Sequence, residues 1–159
     1  MYIPSAVSPR EIACLQKYAR DKVVTEVGAL LGHSTIQLAK VAREVISIDR
    51  HSGYDNAPNS TLSCFLRNLD ISGVRKRVTP IIGDFSLMRR FPADFVFIDL
   101  DGTYITTMRA IRYAIGLRAP IIGVHDFGRT NCKGVAWAVK DSGLQVLERA
   151  DSLIILKGK

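Results

Sequence analysis

The residues best able to do chemistry in this chain are acidic groups, set at the ends of apolar runs. Val23-Val24-Thr25-Glu26-Val27-Gly28 is a β-branched run that ends in a carboxylate and a glycine. Gly32 follows four residues later, then the hydroxyl residues Ser34 and Thr35. Such a run is a buried strand, and the glycines make a tight turn into a helix while letting a ligand approach the backbone. Ser34 and Thr35 are good N-cap types, so the helix N-terminus with its free N–H groups should face the turn. About twenty residues on, Asp49 ends the next apolar run and Arg50 follows it. An acid at that place accepts hydrogen bonds from both hydroxyls of a ribose. Each position also has a plainer reading, which stays open: a simple strand–helix turn at Gly28 and Gly32, a buried carboxylate satisfied by backbone donors at Glu26, and a strand-end charge at Asp49.

The phosphate-binding pattern GxGxxG is missing; its place is taken by Glu26-x-Gly28-x-x-x-Gly32-x-Ser34. A carboxylate directly before the turn repels a pyrophosphate and suits a ligand with a cationic end. A nucleoside that joins a ribose diol to a positive group is S-adenosylmethionine. Two further strand ends carry acids: Asp99 and Asp101 at the end of the run Phe95–Leu100, and His125-Asp126 at the end of the run Ile121–His125. Neighbouring parallel strands would bring these ends together at one rim. There Asp99 and Asp126 could supply oxygen ligands to Mg²⁺ or a similar hard cation, with His125 as a further ligand or as a base. A metal so placed would hold a substrate hydroxyl and lower its pKa. Helix capping by these acids is the plainer alternative.

The elements that must position these residues follow from periodicity. Ser8-Pro9-Arg10-Glu11 is a capping box with proline at the first helical position, so a helix runs to about Arg20. Strands are expected at Val23–Gly28, Val45–Asp49, Val78–Ile82, Phe95–Leu100 and Ile121–His125. Helices are expected at Ser34–Arg43, Thr61–Ile71, Thr103–Ile115 and Lys133–Ser142, with a short helical turn after Ser86. Gly53-Tyr-Asp-Asn-Ala-Pro-Asn-Ser60 reads as a loop. Strict β/α alternation with apolar strands implies a parallel sheet covered on both faces. Leu144–Arg149 and Ser152–Lys157, joined by Ala150-Asp151, break the alternation and read as a hairpin, so the last strand should run antiparallel. The expectation is an α/β, Rossmann-like, seven-stranded and mostly parallel sheet in a single domain, with residues 1–20 as an N-terminal helix and 21–159 as the core.

On Glu26-Val-Gly28-Ala-Leu-Leu-Gly32-His-Ser34, the strand-end Asp49, Gly83-Asp84, Phe95-Val-Phe-Ile-Asp-Leu-Asp-Gly-Thr-Tyr104 and Val124-His-Asp-Phe127, the chain resembles the class I S-adenosylmethionine-dependent methyltransferases. It looks most like their small bacterial or phage members related to metal-dependent O-methyltransferases, over residues 20 to 159. The resemblance implies methyl transfer to a hydroxyl of a small molecule. It implies that Asp84 accepts from the adenine amino group and that a neighbouring apolar side chain, Phe85, covers the ring. It brings Glu26, Gly28, Gly32, Ser34, Thr35, Asp49, Arg50 and Asp99 to the cofactor, and Asp99, His125 and Asp126 to catalysis. Metal-dependent members place carboxylates at these strand ends. The chain departs from them at Gly102, where histidine is common, and at His125-Asp126, where an acid and an amide are usual.

Composition bounds the alternatives. The chain has 159 residues, 47% hydrophobic and 23% charged, enough for one buried core. Three scattered cysteines form no CxxC pair, and the N-terminus has no signal-peptide layout, so a cytoplasmic protein is expected. No apolar run approaches membrane-spanning length. The net charge of +7 fits a basic surface or an anionic partner. Basic runs no longer than Arg75-Lys76-Arg77, with no interleaved aromatics, leave a nucleic-acid or protein substrate as an alternative that is not favoured. No Asn-Pro-Pro-aromatic motif for exocyclic-amine methylation occurs. A degenerate binding module and a homodimer whose partner completes the pocket are the other expectations left open.

Overall fold

The structure, a computed structural model, describes residues 3–52, 60–88 and 90–158. Seven strands form one sheet: β1 Val23–Val27, β2 Glu44–Asp49, β3 Val78–Ile82, β4 Phe95–Ile98, β5 Ile121–Val124, β6 Val146–Ala150 and β7 Leu153–Lys157. Their order is β3-β2-β1-β4-β5-β7-β6. The first five pair in parallel, and β7 inserts antiparallel between β5 and β6. Tail residues 146 to 157 form the hairpin expected of them.

The central strands are buried almost throughout, with successive residues on opposite faces, as a sheet covered on both sides requires. Phe95 and Phe97 of β4 face one core, with Leu15, Leu38, Phe65 and Leu69. Val96 and Ile98 face the other, with Ile111, Ala114, Val135 and Ala138. The helices α1 Pro9–Ala19, α2 His33–Ala39 and α3 Leu62–Ile71 thus cover one face, and α4 Tyr104–Gly116 and α5 Lys133–Ser142 the other. Ser8 caps α1 in a complete capping box with Glu11, and Thr103 caps α4. Short 3₁₀ turns occur at Arg75–Arg77 and Phe85–Leu87. No helix among the described residues is long and apolar enough to cross a membrane.

Two expectations need correction. α2 ends at Ala39 rather than at Arg43, because the chain must already reverse to enter β2: Val41 N–H donates to Leu38 O, and Arg43 N–H to Lys22 O beside β1. Neither Ser34 nor Thr35 caps α2. Gly32, left-handed at φ 88°, is the cap residue, and it offers no side-chain cap to the first turn. Of the expected loop Gly53–Ser60, residues 53–59 lie outside the described residues.

Candidate active site

The strand order reverses around β1, whose neighbours are β2 and β4, and the cleft beyond their carboxyl ends is where ligands of open α/β sheets bind. Two recesses lie there. One, of about 340 Å³, is lined by Gly28, Asp49, Arg50, Asp84, Phe85 and Arg109 among others. The second, of about 410 Å³, lies between the Gly28–Leu31 turn, Asp99 and the N-terminal segment Pro4–Val7. Gly28, Asp49, Leu100 and Asp101 line both, so the two form one bent cleft.

Gly28 must be glycine for a reason internal to the protein. At φ 92° an added Cβ would lie 1.8 Å from the Asp99 carbonyl oxygen. Gly32 does not line the cleft; a Cβ there would press on the Phe65 ring at 2.9 Å. Its place in the sequence comes from turn geometry and packing, not from ligand approach.

Glu26 is fully buried and lines neither recess. Its carboxylate accepts from Ser34 Oγ at 2.7 Å, from Ser47 Oγ at 2.9 Å and from Thr35 Oγ1. Burial outweighs these three hydroxyls and pushes its pKa up to about 7. Glu26 therefore braces the first turn of α2 against β2 from below the cleft. Ser34 borders the second recess, and Thr35 is wholly interior.

Asp49 stands where sequence spacing put it, in the wall of both recesses. Its Oδ2 accepts from Ala29 N–H at 2.7 Å and Leu30 N–H at 2.9 Å, and its Oδ1 from His51 N–H at 2.7 Å. The acid thus shapes the glycine turn as well as facing the cleft. At the far end of the first recess Asp84 Oδ1 accepts from Ser86 N–H and Oγ, and Arg109 donates to Ser86 Oγ at 2.6 Å. These hydrogen bonds, with the charges of Arg109 and Arg50, hold the Asp84 carboxyl below the usual range. Phe85 packs edge-on against Tyr113 and presents a ring to the recess.

The acids of β4 and β5 converge on His125. Its Nδ1 lies 3.2 Å from both Asp99 Oδ1 and Asp126 Oδ1, and its Nε2 lies 3.3 Å from Glu11 Oε2. The imidazole is 1% exposed. Burial opposes its charge, but the hydrogen bond and charge of Asp99 and the charges of Asp126 and Glu11 overcome that, raising its pKa to about 9. His125 is therefore a buried imidazolium at neutral pH. That argues against the expected role as a free base, because the ring has no lone pair to offer and does not reach the cleft. Asp99 is the member of the cluster that lines the second recess.

One atom each from Asp99, His125 and Asp126 lie within 4.8 Å of one another, and Asp126 Oδ1 is buried without a hydrogen bond, though Arg129 Nε stands 3.0 Å away. The two carboxylates can serve a divalent cation, while His125, as an imidazolium, has no lone pair to give it. An oxygen pair of this kind suits Mg²⁺ or a similar hard cation.

Sequence reasoning missed Glu11, Arg109 and the Pro4–Val7 segment. Glu11 carried a signal, the capping box, but that signal gives a helix start and says nothing of a second partner 114 residues away.

No protein-family model matches the chain, and no curated protein is similar to it. Solved structures are. Cofactor-bound Rv0187 from MTB superposes with a TM-score of 0.76 at 21% identity, covering 98% of this chain and 82% of that one. The O-methyltransferase TomG from Streptomyces achromogenes, involved in tomaymycin synthesis and in complex with SAM, gives 0.71 at 19% identity, covering 97% and 82%. An O-methyltransferase from Bacillus cereus in complex with SAH gives 0.69 at 18%, covering 97% and 84%. The chain has the Rossmann-like fold of the class I S-adenosylmethionine-dependent methyltransferases.

Proposed function

We propose that this chain is an S-adenosylmethionine-dependent methyltransferase that acts on a hydroxyl of a small molecule. The observation that carries the reading is the single bent cleft around Gly28 and Asp49, with an acid–aromatic pair at one end and Asp99 at the other. Adenine would lie against Phe85 with Asp84 and Arg109 at its edge. The ribose hydroxyls would meet Asp49, and the sulfonium would pass Gly28 toward Asp99. Two bound structures of the same fold, one with SAM and one with SAH, support this use of the cleft.

The sulfonium is already an activated donor, so the protein need only align the acceptor oxygen and remove its proton. Asp99 is placed to take the acceptor's hydrogen bond from the second recess, and the His125 imidazolium behind it fixes the carboxylate. Pro4–Val7 forms one wall of that recess. Asp99 and Asp126 would hold a divalent cation, whose chemistry would be to lower the pKa of the bound hydroxyl. Three free cysteines agree with a cytoplasmic setting.

Calorimetry with S-adenosylmethionine, S-adenosylhomocysteine and NAD, each with and without Mn²⁺ or Mg²⁺, tests the reading. Binding of the sulfonium nucleoside and its product far above NAD is expected. Equal or stronger NAD binding overturns it. Radiolabelled methyl transfer to a panel of phenols, sugars and oligonucleotides then separates a small hydroxylated acceptor from a nucleic acid.

A further inference from the structure

Glu11 is the first-turn acid of α1 and would ordinarily lie at the surface; here it is 1% exposed. One carboxylate joins three parts of the fold. Its Oε2 accepts from Ser8 N–H at 2.7 Å and faces His125 Nε2 at 3.3 Å. Its Oε1 accepts from Ser152 N–H at 2.8 Å and from Ser152 Oγ at 2.7 Å. The capping box needs only the Ser8 bond. Burying a carboxylate beneath the sheet rim to serve a helix cap alone would be costly, since a cap works as well at the surface.

We propose that Glu11 is a positioning residue, which fixes the ring of His125 so that Nδ1 is aimed at Asp99 and Asp126. An ionised carboxylate only accepts, so the hydrogen on Nε2 is committed to Glu11 and the ring cannot flip without losing it. The carboxylate cannot drift either, because Ser8 and Ser152 hold both its oxygens. Nδ1 is left at 3.2 Å from each rim acid. Proteins orient imidazoles that must present one chosen nitrogen in this way, through a carboxylate on the other. Residues on α1 and at the β6–β7 turn thereby set the geometry of two strand ends. Ser8 also donates to Asp151 at 2.6 Å, and Arg129 to Ala6 O at 2.9 Å, so the Pro4–Val7 wall of the cleft is tied to the same assembly.

The catalytic part of this inference rests on the methyl-transfer reading; the part concerning the ring does not, and the test separates them. Nitrogen-15 NMR of the histidine rings is tractable because the chain has three histidines. In the wild-type protein the His125 Nε2 hydrogen should be present and slow to exchange, and a fast-exchanging or absent one refutes the proposal without any variant. Glu11→Gln puts an amide donor or a single weaker acceptor opposite Nε2. The His125 signals should move and the Nε2 hydrogen exchange faster, with turnover falling about 10- to 100-fold. S-adenosylhomocysteine affinity should stay within a few-fold, since Asp49 and Asp84 are untouched. Unchanged His125 signals in a folded Glu11→Gln protein would reduce Glu11 to a helix cap. If the signals respond while no sulfonium nucleoside binds the wild type, Glu11 keeps its place and the methyl-transfer reading falls.

Discussion

Replacing Glu26 by glutamine should stabilise the protein in a way that depends on pH, and the size follows from the cage around the carboxylate. In the folded chain the group is wholly buried, with a pKa of about 7; unfolded, it returns to about 4.5. Below pH 4.5 both states hold the proton and nothing is lost. As pH rises toward 7 the unfolded chain gives up its proton while the folded chain retains it, so stability declines across that window and is fully lost above it. At about 1.36 kcal/mol for each pKa unit, the loss amounts to about 3 kcal/mol. Glutamine has the same shape and no proton to lose. Ser34, Thr35 and Ser47 surround it with hydroxyls that rotate to donate or accept. Glu26→Gln should therefore match the wild type near pH 4 and exceed it by about 3 kcal/mol at pH 8, or about 6–12 °C in melting temperature for a chain of this length. Urea unfolding of both proteins from pH 4 to 8 measures the difference, and titrations elsewhere cancel in it. Curves that stay parallel across the range would refute the argument, for they would mean that the three hydroxyls fully offset the burial.

Further outcomes follow from the cleft. Asp49→Ala should weaken S-adenosylmethionine binding by about 1–3 kcal/mol in calorimetry, because ribose loses a charged acceptor and Ala29 and Leu30 lose the oxygen that orders the turn; unchanged affinity in a folded variant removes Asp49 from the site. Gly28→Ala should cost more than about 2 kcal/mol in denaturant unfolding, since left-handed strain adds to a contact of 1.8 Å with the Asp99 carbonyl. Asp126→Asn should remove any stimulation of turnover by Mn²⁺ while leaving cofactor affinity nearly intact, and turnover indifferent to a chelator in the wild type would dispose of a metal-dependent mechanism.

The sheet was legible because its strands are apolar runs bounded by turns, and because the unbroken β/α alternation admits few topologies. The final hairpin was legible from Ala150-Asp151 between two strand-like runs. Helix ends were not: α2 stops short where the chain must reverse into β2, a tertiary demand that the apolar periodicity of residues 36 to 42 does not register. Asp49, Asp84 and Asp99 were legible as cleft residues because each ends a strand whose place in the sheet was already implied. His125 and Asp126 were legible as partners of Asp99 for the same reason.

Burial was not legible, and burial decides what each acid does. Glu26 and Asp49 both sit near the carboxyl ends of neighbouring strands, and nothing in their local sequence separates them. In β1, Glu26 pairs with Ser47 of β2 and points under α2, where no water reaches it. Asp49 lies at the very end of β2, past the cover of that helix, and its carboxylate turns back over the glycine loop. An acid two residues farther along its strand thus lines the cleft, and one enclosed by a helix becomes a strut. Glu11 makes the same point from the other side, being a helix-cap acid drawn inward because Ser8, Ser152 and His125 each face it with a hydrogen to donate. Residue type and spacing select the atoms that could act. The enclosing elements decide which of those atoms meet the cleft and which hold it in shape.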